Sequence, residues 1–145
     1  MKRLSKLSMS LVLLTAVLIP GVALALDDPP TVTSLESAEQ LCGKPVRVVA
    51  RYKSAKYIPD ASTAGVWIPG KDPIPHITAK LVLSDDGEIE IGPPKNKASL
   101  RTPKEAEQFE GVSVQVRGKL ELHPAEGSHK AFYWIQPQSI EAAED

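Results

Sequence analysis

Four stretches of this chain alternate apolar and polar residues, and the clearest runs from Val112 to Leu122 as VSVQVRGKLEL. Only a strand sends successive side chains to opposite faces, so Val112, Val114, Val116, Leu120 and Leu122 share a side that has to be covered. Gly118 stands where such a strand bends or bulges. Residues 45–54 (PVRVVARYKS) repeat the pattern, with Val46, Val48, Ala50 and Tyr52 inward and Arg47, Val49, Arg51 and Lys53 outward. Residues 76–84 (HITAKLVLS) turn Ile77, Ala79, Leu81 and Leu83 inward. Asp85-Asp86-Gly87 then makes a tight turn into GEIEIG, which buries Ile89 and Ile91 and exposes Glu88 and Glu90. Ala131 to Gln136 is aromatic and β-branched enough for a last strand, closed by Pro137.

Two short helices interrupt the strands. SLESAEQLC, from Ser34 to Cys42, has a capping serine, early acids and Gly43 to end it, and turns Leu35, Ala38 and Leu41 or Cys42 to the core. Thr102 caps a second helix from Pro103 to Phe109, where Glu105 is placed to complete a capping box and Gly111 stops the run. Pro93 to Leu100 is a polar connection. The segment from Ala55 to Pro75 holds Pro59, Pro69, Pro73 and Pro75 and is longer than the roughly 12 to 15 residues at which loops become uncommon. A short extra strand over Gly65-Val66-Trp67-Ile68 would shorten it.

The first 25 residues read as an export signal: Lys2, Arg3 and Lys6, an apolar run from Leu7 to Ile19, a Pro20-Gly21 break and the small-residue site Ala23-Leu24-Ala25. The run is well short of the roughly 20 residues a membrane helix needs, so the signal is expected to be cleaved after Ala25 and to leave a chain without a membrane span, in a periplasm or outside the cell. Residues 26–33 form an extended, flexible lead-in, 34–141 a single domain and 142–145 an acidic tail. Cleavage leaves 14 basic against 18 acidic residues, a net charge of −4, which disfavours long-range attraction to nucleic acid or anionic membrane. Cys42 is alone, so no disulfide closes within the chain, and its expected place is a small apolar position at the end of the first helix.

The element order is strand, long loop, strand, tight hairpin, strand, helix, strand, loop, strand, carried by GKPVRVVARY (43–52), LVLSDDGEIEI (81–91) and FEGVSVQVRGKLEL (109–122). This order resembles the OB-fold superfamily: a mainly β, five-stranded Greek-key barrel with a short helix between strands three and four. A short N-terminal helix is added here, and an SH3-like barrel or a small sandwich is the other arrangement such strands allow. The resemblance implies a ligand surface on the second and third strands, flanked by the loops joining strands one to two and four to five. Those loops hold Lys56, Tyr57, Trp67, Lys71, His123, His129 and Lys130. The superfamily's ligands include oligonucleotides, oligosaccharides and proteins, and fold alone selects none of them.

The candidate binding residues are therefore Arg47, Arg51, Lys53, Lys56, Tyr57, Trp67 and Lys130. The first three share one strand face and could cradle an anion. Trp67, in GVWIPG, either folds back over the barrel or offers a platform for a protein or sugar. Nucleic acid is disfavoured by the few aromatic platforms and by Glu88 and Glu90 on the outward face. His123, Glu126 and His129 are a candidate metal set on one loop, though their spacing matches no recognised finger and a polar hairpin loop would use the same residues. No phrase resembles a nucleophile elbow, and the paired carboxylates and arginines of secreted OB-fold nucleases are not recognisable. The histidine motif of periplasmic haem-delivering barrels is absent. The expectation is an exported, non-catalytic binding module without a cofactor, whose partner is an envelope protein or a glycan; a small-ligand or metal carrier and a single-strand nucleic-acid binder are the alternatives, and an enzyme is the least favoured reading.

Overall fold

The structure, a computed structural model, describes residues 28–58 and 75–144. The export signal, the extra strand at 65–68, Trp67 and Lys71 lie outside the described residues. The elements are β1 (Thr31–Val32), α1 (Leu35–Leu41), β2 (Pro45–Tyr57), β3 (His76–Val82), β4 (Glu88–Ile91), a 3-10 turn (Lys97–Ser99), α2 (Pro103–Phe109), β5 (Ser113–His123) and β6 (Phe132–Ala142). Hydrogen bonding runs β1-β2-β3-β4-β6-β5, and β5 pairs back onto β2, closing strands β2 to β6 into a five-stranded barrel. Among the described residues no helix is long and apolar enough to cross a membrane.

Closure follows from the alternation. Val46, Val48 and Tyr52 of β2, Leu81 of β3, Ile89 of β4, Val114, Val116 and Leu120 of β5 and Ile135 of β6 are all fully buried. Their outward neighbours take water, so a one-residue slip would exchange the two sets and expose the core. β2 is the long bent strand that serves both sides: Pro45 to Arg51 pair with β5, and Arg51 to Tyr57 pair with β3. The mainly β barrel with a helix between its third and fourth strands is the architecture the sequence suggested.

Gly118 sits at the bulge where the β5–β6 register shifts. A Cβ there would fall 1.9 Å from the Gln136 carbonyl oxygen, so only glycine admits this approach. The bulge also explains why β6 does not end at Pro137. That proline pairs opposite Gly118 and the strand continues to Ala142, whereas pairing of β6 with β4 stops at Ile135. Beyond Ile135 one edge of β6 has no strand neighbour among the described residues, which is where a residue without an N–H is tolerated.

Four local expectations need correction. The lead-in is ordered from Thr31, which with Val32 pairs in parallel with Arg47 and Val48; Val32 is fully buried, and that burial holds the segment down. Leu35 is 40% exposed because the first turn of α1 lies over the β3–β4 turn, where its side chain covers Gly87. Leu122 is 47% exposed because β2 pairs with β5 only as far as Lys119, so the β5–β6 hairpin projects past the barrel rim; Val112 still belongs to the turn out of α2. Thr102 caps α2 by accepting from the Glu105 N–H, but the Glu105 carboxylate does not complete a box. It accepts instead from the Tyr52 hydroxyl at 2.9 Å and faces Arg101 at 3.6 Å.

Candidate functional site

Strand parity sends Tyr57, His76, Thr78, Lys80, Glu90, Phe132 and Trp134 outward, and the register places these positions side by side although they come from four strands. Tyr57 pairs with His76, and their rings meet edge to face with centroids 5.5 Å apart. Phe132 packs against His123 with centroids 4.9 Å apart. After β4 the chain turns through Gly92, at φ 90°, and Lys95, at φ 58°, into the 3-10 turn. Asn96 caps that turn by accepting from the Ala98 N–H, which fixes the segment as a wall beside β3.

A hollow of about 470 Å³ lies between this wall and the strands, lined by Tyr57, His76, Thr78, Glu90, Lys95, Lys97 and Phe132 among others. A second of about 260 Å³, bounded by Lys53, Ala55 and Lys80, shares Thr78, Ala79 and Glu90 with the first. The two form one furrow across the outer face of β2, β3 and β4. Its aromatic rings offer apolar area, Thr78 a hydroxyl, Glu90 an acceptor and the lysines positive charge. Lys80 also pairs with Glu88, on the strand beside it. This assortment suits a polar ligand with apolar faces, held by several weak contacts.

Other polar groups serve the fold. The Tyr52 hydroxyl, whose ionisation is pushed well above the ordinary tyrosine range by burial and by the Glu105 carboxylate it donates to, joins β2 to α2. Arg101 backs that contact and donates from Nη2 to the Ala98 carbonyl at 3.1 Å. A further hollow of about 440 Å³ opens beside it, between α2 and the end of β6. Glu110 accepts from both the Oγ and the N–H of Ser54, which holds its carboxyl below the usual range and ties β2 to the end of α2.

Of the residues singled out from sequence, Lys53 and Tyr57 line the furrow. Arg47, Arg51 and Lys53 do share the outward face of β2, but they are not gathered on one ligand. Arg47 donates to the Thr31 hydroxyl from Nη2 at 2.9 Å and from Nε at 3.2 Å. Arg51 borders a separate hollow with Ser84 and Asp86. Lys56 and Lys130 are exposed and line neither part of the furrow. His123 approaches Glu126 at 3.7 Å, while His129 meets Glu126 through backbone hydrogen bonds across the loop. Among the described residues no three His, Cys, Asp or Glu side chains gather to hold a metal ion. Sequence reasoning passed over His76, Thr78, Lys95, Lys97 and Phe132. The outward parity of His76, Thr78 and Phe132 is the signal that could have found them; the wall carrying Lys95 and Lys97 has no period to read.

Comparison with protein families, with curated proteins and with solved structures finds no match to this chain.

Proposed function

We propose that this chain is an exported, non-catalytic binding module with an OB-like barrel, and that it holds an extended ligand, a protein segment or a glycan, in the furrow on β2, β3 and β4. The observation that carries this reading is the joining of two hollows into one furrow that collects Tyr57, His76 and Phe132 from three separate strands. Tyr57 is 48% exposed, and an aromatic ring left in water gains contact area when a partner covers it. Export rests on the basic, apolar and small-residue pattern of the first 25 residues.

Crosslinking capture from the native envelope, with a parallel screen on immobilised glycans, tests the reading. Wild type is compared with Tyr57→Ala and Phe132→Ala, each first shown to be folded by near-ultraviolet circular dichroism. The expected result is a specific partner held by wild type and weakened about tenfold or more by each substitution, as for a central aromatic contact. A specific partner held equally by all three proteins would place the contact surface elsewhere.

A further inference from the structure

The furrow differs in charge from the molecule that carries it. The whole chain has a net charge of −1, yet among the described residues Lys53, Lys80, Lys95 and Lys97 line the furrow against a single carboxylate, Glu90. Glu88 offsets Lys80 and Glu90 offsets one of the remaining three lysines, so the local excess is two positive charges. Register sets Lys53, Lys80, Glu90 and Trp134 in one row across four strands, about 14 Å wide at the spacing of neighbouring strands. A row of that width exceeds one small anion and fits several linked units.

Glu90 decides which anionic polymer fits. It borders both hollows, and its carboxylate oxygens accept hydrogen bonds. A DNA chain of phosphodiesters offers Glu90 no hydroxyl donors along its charged backbone. A peptide added as a strand needs a free sheet edge, and β3 and β4 present side chains here rather than an edge. Sugar hydroxyls, by contrast, donate to a carboxylate and pair with Thr78, while the C–H faces of sugar rings lie against Tyr57 and Phe132.

We infer that the ligand of this furrow is an acidic oligosaccharide, a chain of sugar rings bearing carboxylates, with Lys53, Lys95 and Lys97 facing the acid groups and Glu90 and Thr78 the hydroxyls. The inference rests on the furrow being the binding surface proposed above.

The test is amide chemical-shift mapping on the protein as recovered from its producing cells, titrated with four probes: a galacturonic acid pentamer, its full methyl ester, an oligothymidylate and a glutamate pentamer. Tightest binding of the acid pentamer, with shifts at Thr78, Glu90 and Lys97, is expected. Replacing Lys53 and Lys97 together by Ala should weaken it about three- to tenfold, the loss of two exposed ion pairs, and replacing both by Arg should retain it. Equal affinity for the methyl ester would overturn the acidic class while keeping the furrow as the site. Preference for the oligothymidylate or the glutamate pentamer would overturn it in favour of nucleic acid or peptide. Shifts outside the furrow, or none with any probe, would overturn both this inference and the binding surface it rests on.

Discussion

A single side chain, Tyr52, joins the core to the polar layer outside it. Its residue is fully buried, its ring lies 5.9 Å from that of Phe109, and its hydroxyl donates to Glu105. The alternation made its inward direction legible, because a fully buried face tolerates no other parity. The partner was not legible: Glu105 read as a capping residue, and only the packing of α2 on the barrel turns its carboxylate toward β2. Tyr52→Phe keeps the ring and removes the donor, and should cost about 1.5 to 3 kcal/mol in urea unfolding, the range for a hydrogen bond to a charged group. The pH dependence distinguishes this from lost packing. The folded protein raises the tyrosine's ionisation, so the stability this group contributes is fully present below about pH 10, where the unfolded residue titrates, and is lost as pH rises beyond it. The phenylalanine variant should show a shallower alkaline loss, and an unchanged slope would refute the assignment.

Elements here are joined less by their own propensities than by turns that dock on one another. The β3–β4 turn bends at Asp86, with φ 63°, and its neighbour Asp85 accepts from the N–H groups of Leu35 and Gly87 at 2.9 and 3.1 Å. One carboxylate thus closes the hairpin and pins the first turn of α1, whose remaining cap is the reciprocal pair Ser34 and Ser37. The sequence showed both the turn and the helix but not their contact, since Leu35 read as a core residue and nothing local places it over Gly87. The extension of β6 past Pro137 was hidden for a related reason: a proline ends a strand only where its N–H is needed, and among the described residues the edge facing away from β5 has no strand partner there. The Leu35 and Gly87 amides hold the Asp85 carboxyl below its ordinary range, so its stabilising effect is present above about pH 4 and fades as pH falls through the lowered value. Asp85→Ala should therefore lower the Tm at pH 7, and the gap from wild type should narrow below pH 4. A gap that is constant with pH would show that the ionised carboxylate is not what docks the helix.

At the scale of the molecule, the strands were legible one by one, whereas the furrow exists only because strand pairing sets β2, β3, β4 and β6 in register. Tyr57, Glu90 and Phe132 form no motif in the chain, and each is an ordinary outward position until its cross-strand neighbours are known. Closure itself joins distant segments: Pro45 pairs with Lys119 and Val48 with Val116, while the hairpin turn and both helices are local. Because the closing pairs must overcome the entropy of a long loop before they gain contact, the barrel should refold in milliseconds to seconds rather than microseconds. Stability should follow the same division. Val48→Ala removes methyl groups from a fully buried position in the closing pair, and should cost about 2 kcal/mol. Leu35→Ala, on a helix that rests outside the barrel at 40% exposure, should cost about half of that or less despite deleting more carbon. Stopped-flow and equilibrium urea unfolding of the three proteins measure both quantities. A larger loss at Leu35 than at Val48 would mean that the α1 contact with the hairpin, and not barrel closure, dominates the stability of the fold.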